Sequence, residues 1–154
     1  MQQSCNKEFF TAYIRHMKIV VRSLISIFLG FASALVVNGG IIYMGNAIVP
    51  LPENVNTHTE SAMIEAMSHF TPIHFLFPFL AHVLGSFVGS FIAALLFRTR
   101  SVVVALSVSI LHMLGGIYMA VILPAPFWFE ISDVILAYLP MGLLAAKCSN
   151  LVRR

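Results

Sequence analysis

The side chains that could carry chemistry are few, and they lie within strongly apolar sequence. His82 and His112 lie inside two apolar segments, and Asp133 lies near the start of another. Ionisable groups inside a membrane segment are costly and mark ligand, proton or ion sites. His82 with Asp133 would make a proton-binding pair, because a nearby carboxylate favours the charged imidazole. We predict a polar pocket formed by His82, His112, Asp133, Asn38, Tyr118 and His74.

Each of these residues also has a purely structural interpretation. His82 could hydrogen-bond a backbone carbonyl or Ser86, and His112 could do the same, because a polar group buried in hydrocarbon needs a partner. Asp133 could cap the N-terminus of its helix, where the helix dipole favours an anion, with Ser132 as the competing cap. The sequence leaves these alternatives open.

Other chemistries have weaker support in the sequence. His82 and His112 could ligate one haem iron, and His74, His82 and Asp133 form only a loose zinc-ligand set. HExxH, phosphate-loop, dinucleotide and nucleophile–base motifs are all missing, and Cys5 and Cys148 form no CxxC pair. We therefore expect no enzyme activity, no cofactor, no metal site and no catalytic residue.

The composition places the chain in a bilayer. Of its 154 residues, 59% are hydrophobic and only 10% are charged, and the mean hydropathy is +0.91. Soluble domains carry roughly 25% charged residues. The net charge of +3 could suggest nucleic acid in a soluble protein. Here the basic residues cluster at segment ends, so we expect the lipid bilayer, and no nucleic acid, as the partner.

Four apolar segments are each close to the ~20 residues that cross the hydrocarbon core. They cover about residues 19–43, 73–97, 102–123 and 131–146. Pro140 should kink the last segment, since proline removes a backbone hydrogen bond. Short links make the last three segments antiparallel neighbours. We predict an all-α polytopic membrane protein with a single domain, residues 1–154, built as an antiparallel bundle of four transmembrane helices.

The charges predict the orientation of these spans. Basic residues precede the first span, link the second to the third and follow the fourth, while residues 44–72 and 124–130 contain none. The positive-inside rule then places both termini in the cytoplasm. The basic residues are Lys7, Arg15, Lys18, Arg22, Arg98, Arg100, Lys147, Arg153 and Arg154.

The two outer loops have features of their own. Thr57 and Glu60 have the S/T-x-x-E spacing of a capping box, and methionines and a phenylalanine follow at helical spacing. We predict a short amphipathic helix over about residues 58–70, lying on the outer surface as a lid or packing element. Trp128 in the second outer loop is predicted to anchor at the interface.

Each span also carries a face of small residues, which membrane helices use for close packing. Asn38 ends one such face and could instead ease the backbone around the two glycines that follow it. Most polar groups lie in the outer half, which predicts a pocket open toward the periplasm above a nearly pure apolar inner half. The faces contain Ser26, Gly30, Ala34 and Asn38; Ala81, Gly85, Gly89 and Ala93 beside His82, Ser86, Ser90 and Ala94; His112, Gly115 and Gly116; and Ala137, Met141 and Ala145 beside Tyr138, Gly142 and Ala146.

Three stretches, LAHVLGSFVGSFIAAL (80–95), LGGIYMAVILPAPFWF (114–129) and DVILAYLPMGLLAAK (133–147), carry a family resemblance. On these the chain resembles a family of small, uncharacterised four-helix bacterial inner-membrane proteins. The resemblance covers about two-thirds of the chain and implies fold, topology and membrane location. It implies no activity, so no site residue is transferred from it.

The sequence thus favours a non-enzymatic bilayer subunit or scaffold, acting with other membrane proteins or by self-association through its small-residue faces. The alternative is a small carrier or sensor that uses a periplasm-facing pocket around His82, His112 and Asp133. A haem-binding membrane protein is a third, weaker alternative. The identity of a substrate or partner cannot be read from the sequence.

Overall fold

The residues that the structure describes, 2–51 and 59–152 of a computed structural model, are helical and contain no strand. Short 3₁₀ turns at Pro72–Phe75 and Arg98–Arg100 precede the second and third long helices. The α-helices are α1 (Gln2–Ile48), α2 (Glu60–Met67), α3 (Leu76–Leu96), α4 (Ser101–Ile122), α5 (Phe127–Leu136) and α6 (Leu139–Leu151).

Four helical segments are long and apolar enough to cross a membrane, which confirms the predicted all-α polytopic class. They are Phe10–Ile48, Pro72–Leu96, Arg98–Ile122 and Phe127–Leu151. The first is much longer than the predicted 19–43. At ~1.5 Å per residue, the 47 residues of α1 extend about 70 Å, more than twice the hydrocarbon thickness.

The fourth span is two helices rather than one kinked helix. α5 ends at Leu136, and α6 begins at Leu139, with Ala137 and Tyr138 between them. The predicted kink is thus a full break just before Pro140, where the ring of a proline would clash with the carbonyl of the residue four positions earlier, Leu136. Pro140 lies in the first turn of α6, where its missing N–H is tolerated because no earlier carbonyl of that helix awaits it.

The bundle is arranged around α3, which packs against α1, α4 and α6. Consecutive spans are antiparallel, since early α1 residues meet late α3 residues and Ser101 at the start of α4 bonds Asn150 near the end of α6. One end of the bundle therefore holds the start of α1, the Arg98–Arg100 turn and the end of α6; we name it the terminal end. The opposite end, with α2 and the start of α5, is the loop end.

The closest helix crossing lies between α1 and α3, where Gly30 and Gly89 face each other. A Cβ at Gly30 would lie 2.6 Å from the Gly89 carbonyl oxygen, and a Cβ at Gly89 would lie 2.5 Å from the Gly30 carbonyl oxygen. Ala34 and Ala93 flank the crossing and are fully buried. The small-residue faces predicted for these two helices are thus packed against each other.

The contact between α3, α4 and α6 contains polar groups. This differs from the sequence prediction, in which the inner half is nearly pure apolar. Ser90 Oγ donates to the Ala105 carbonyl oxygen at 2.9 Å and lies 2.9 Å from Ser109 Oγ. Gly142 of α6 leaves the space that the Ser109 side chain occupies. Serine fits such a contact because it is small and can satisfy its hydroxyl on a backbone carbonyl or another hydroxyl. On α4, the predicted packing face is wrong at Gly115, which is exposed.

The loop-end helix α2 is shorter than the predicted 58–70. Its N-cap is Thr59, whose side-chain oxygen accepts a hydrogen bond from the Ala62 backbone N–H at 3.3 Å. The N-cap of α2 is therefore Thr59, two residues after the predicted Thr57, which itself lies outside the described residues. Ala66 is buried, so α2 packs one face onto the bundle as the amphipathic pattern indicates.

We predict that Gly89→Ala destabilises the protein by about 1–3 kcal/mol, because the added methyl overlaps the α1 backbone and forces the helices apart. Gly115→Ala is the matched control, since a Cβ there meets nothing within 4 Å. Unfolding of the purified protein by increasing SDS in mixed micelles measures both variants. Equal midpoints for the two variants would contradict the close crossing.

Candidate functional site

A cavity of about 360 Å³ lies at the loop end of the bundle, enclosed by α1, α2, α3, α4 and α5. Its wall is mainly apolar, with Met63, Met67 and Phe75 among its residues. Each of the helices α1, α3, α4 and α5 contributes a polar or small residue to the lining: Asn38, His82, Gly116 and Asp133. A volume of this size and an apolar wall with a few converging polar groups are typical of small-molecule sites.

His82 and Asp133 form the polar floor of the cavity. His82 Nδ1 lies 2.9 Å from Asp133 Oδ1 and 2.8 Å from Oδ2, and the side chains are 17% and 7% exposed. Since a carboxylate in this contact accepts, the Nδ1–H donates to it. The structure thus brings together the two residues that the sequence suggested as a pair, from α3 and α5.

Tyr138 lies behind the floor, outside the cavity lining, and the predicted set lacked it. Its hydroxyl donates to Asp133 Oδ2 at 2.8 Å, and the side chain is fully buried. Gly116 of α4 leaves room for that hydroxyl. The signal was present in the sequence, because Tyr138 shares a small-residue face with Gly142 and Ala146. A phenol on such a face has to find a hydrogen-bond partner inside the bundle.

His112 lies behind the floor and does not line the cavity. Its Nδ1 is 2.9 Å from Ser86 Oγ, and its Nε2 is 3.4 Å from Asn38 Nδ2. Its ring meets the rings of both His82 and Tyr138, with centroids 5.7 Å and 5.5 Å away. The sequence offers Ser86 as a hydrogen-bond partner for either histidine, and in the structure Ser86 is the partner of His112. The His112 ring therefore supports the floor from α4.

The second ring nitrogen of His82 takes no part in the contact with Asp133. Nε2 makes no hydrogen bond to a described residue, and no buried polar side-chain atom in the described ranges lacks a partner. It is consequently accessible, and His82 lines the cavity. With the proton on Nδ1 and held by Asp133, a neutral ring presents a lone pair at Nε2. The floor can therefore accept a hydrogen bond from a ligand.

Two of the predicted pocket residues lie away from the floor. His74 lines the cavity near the loop end, where its Nδ1 accepts from the Thr71 backbone N–H at 3.1 Å and its ring stacks on Phe70. Tyr118 is 64% exposed and does not line the cavity, so its inclusion in the pocket was wrong. The position of Tyr118 along α4 is at the depth of the cavity, but its side chain lies on the outward face of the helix.

The structure also corrects the capping interpretation of Asp133. α5 begins at Phe127 with Pro126 as its N-cap, so Asp133 lies in the second turn rather than at the N-terminus. Ser132, the competing cap, donates instead to the Trp128 carbonyl oxygen one turn back. The carboxylate is therefore held by side chains and not by free backbone N–H groups.

The haem and zinc alternatives do not fit this geometry. The His82 and His112 rings meet edge to face at an interplanar angle of 89°, leaving no slot for a porphyrin between them. Both nitrogens of His112 are already hydrogen-bonded. Within residues 2–51 and 59–152, no group of three His, Cys, Asp or Glu side chains is arranged to hold a metal ion.

No family model matches the chain, and no curated protein or solved structure matches it.

We predict that Tyr138→Phe lowers the free energy of unfolding by about 1–3 kcal/mol, because it removes a donor from a buried carboxylate. Tyr118→Phe is the control: that hydroxyl belongs to an exposed side chain and has no hydrogen bond in the structure. SDS unfolding of both variants tests this. A Tyr138→Phe midpoint equal to that of Tyr118→Phe would show that the Asp133 contact contributes nothing.

Proposed function

We propose that the protein is a membrane-embedded sensor or carrier that binds a small, largely apolar molecule in the loop-end cavity. One observation carries this proposal: the cavity ends on the hydrogen-bonded His82–Asp133 pair, which Tyr138 supports from behind and whose second imidazole nitrogen is accessible. An apolar wall supplies affinity, while a single polar group fixes the orientation of the ligand. Intramembrane ionisable groups are retained where they serve such sites.

A bilayer subunit or scaffold is the other function that the sequence favours, and it receives less support. The small-residue faces on which self-association was to rest are buried within the chain. Gly30, Gly89 and Gly142 each face another helix of the same bundle. Self-association or contacts with other membrane proteins would need other surfaces, such as those around the exposed Gly39, Gly40 and Gly115.

The proposed orientation puts both termini in the cytoplasm of a bacterial cell, in the inner membrane, with the loop end toward the periplasm. The distribution of the nine basic residues along the sequence, none of which falls within residues 44–72 or 124–130, supports it. The resemblance to small bacterial inner-membrane proteins agrees with this placement. The cavity would then receive its ligand from the periplasm or from the outer leaflet.

Alkaline phosphatase fusions test the orientation, because the enzyme is active only outside the cytoplasm. We expect a fusion after Arg100 to be inactive and a fusion after Pro126, one span later, to be active. A fluorescent protein at the C-terminus should fold and fluoresce. The opposite phosphatase pattern would reverse the proposed orientation and place the cavity on the cytoplasmic side.

The cavity itself can be tested with 4-phenylbutan-1-ol, a neutral probe with an apolar body and one hydroxyl. Trp128, the only tryptophan of the chain, packs edge to face on Phe75 of the cavity wall and reports on occupancy through its fluorescence. We expect saturable binding to the protein in nanodiscs and an increase in thermal stability with probe concentration.

Ala120→Phe should abolish this saturable signal, because Ala120 lines the cavity and a phenyl group would fill it. Val121→Phe is the matched control on the next residue of α4, where the side chain is 82% exposed and faces away. Equal binding by both variants would mean that the probe partitions into lipid or binds elsewhere. That result, or no saturable binding by the wild type, would overturn the proposed function.

A further inference from the structure

The charges around the cavity are of one sign. Its lining contains two carboxylates, Glu130 and Asp133, together with two histidines and two asparagines. No lysine or arginine lines it among the described residues. An anionic ligand would therefore meet carboxylates without a fixed cation to pair with, whereas a cationic ligand would meet complementary charge. The wall thus discriminates between ligands by charge as well as by polarity.

The floor adds a directional element to this charge. Asp133 accepts hydrogen bonds from His82 Nδ1 and Tyr138, while the accessible His82 Nε2 is left as an acceptor in the neutral ring. In the ring form that carries its single proton on Nδ1, His82 and Asp133 together carry one negative charge in an apolar setting. A ligand that donates an N–H to Nε2 and brings a positive charge satisfies both groups at once.

The wall suits the remainder of such a ligand. Phe75, Phe77 and Phe129 line the cavity, and aromatic faces attract cations as well as apolar groups. Three methionines, Met63, Met67 and Met119, add flexible and polarisable surface that adapts to different shapes. A wall of this kind fits an aryl or alkyl body better than a sugar or a peptide.

We propose that the ligand class is a lipophilic amine in its ammonium form, with its N–H directed to His82 Nε2 and its apolar body among the phenylalanines and methionines. This inference rests on the proposed function, since it names the ligand of the same cavity. Asp133 acts here as a positioning residue, because it holds the proton on Nδ1 and supplies the counter-charge through His82.

Four probes with the same phenylalkyl body test this inference on the wild-type protein in nanodiscs, with Trp128 fluorescence as the readout. They are 4-phenylbutylamine, 4-phenylbutan-1-ol, 5-phenylpentanoate and (4-phenylbutyl)trimethylammonium. We expect the amine to bind about tenfold or more tightly than the alcohol, because hydrogen bonds to charged groups are the stronger ones. The carboxylate should bind weakest. The quaternary ion should bind more weakly than the amine, because it has no N–H.

Asp133→Asn removes the charge and keeps an acceptor for His82, so it should erase the preference for the amine over the alcohol. Glu130→Gln, at the less buried carboxylate, should reduce the preference less. Because Asp133→Asn could weaken the fold, the unfolding midpoint of this variant is measured in parallel. The ranking of the four probes on the wild-type protein tests the inference independently of this variant.

The outcomes separate the two proposals. Equal binding of amine and alcohol, or tightest binding of the carboxylate, would overturn the amine inference and leave the cavity as a ligand site. Equal binding of the amine and the quaternary ion would overturn the role of Nε2 as acceptor. No saturable binding of any probe would overturn both proposals.

Discussion

A carboxylate inside an apolar bundle has to be hydrogen-bonded, and the architecture around the cavity depends on meeting that requirement at Asp133. Its partners come from two other parts of the chain, His82 on α3 and Tyr138 just before α6. Tyr138 follows Asp133 by five residues, which on a continuous helix places the two about 140° apart. The break between α5 and α6 allows the Tyr138 hydroxyl to reach the Asp133 carboxylate. The hydrogen bond between these two groups therefore links the broken span to the polar floor.

Small residues make that convergence possible. In lipid, helices gain little from excluding apolar surface and associate by close packing. The Gly30–Gly89 crossing lets α1 approach α3 at backbone distance, and Gly116 gives space to the Tyr138 hydroxyl. Towards the loop end, phenylalanines and methionines join glycine and alanine among the residues that line the cavity. The cavity lies on this side of the floor, where the larger side chains form its wall.

The chemistry of the cavity follows from this division. Below the floor, close packing and serine hydrogen bonds such as Ser90 to Ser109 leave the helices in direct contact. Above it, the bundle has an apolar wall, an acceptor nitrogen and carboxylates. A sensor needs only the part of the bundle above the floor. A carrier would also need the helices below the floor to separate, which would require the α1–α3 crossing to open.

The sequence by itself determined the four spans and most of the packing faces, because a bilayer demands apolar runs of a set length and small residues where helices cross. It also suggested the His82–Asp133 pair. It could not choose between Tyr118 and Tyr138, because depth along a helix is a one-dimensional quantity and the facing direction of α4 depends on its neighbours. Only the tertiary structure decided that choice, the break before Pro140 and the existence of a cavity, since each depends on how side chains from several helices fill one space.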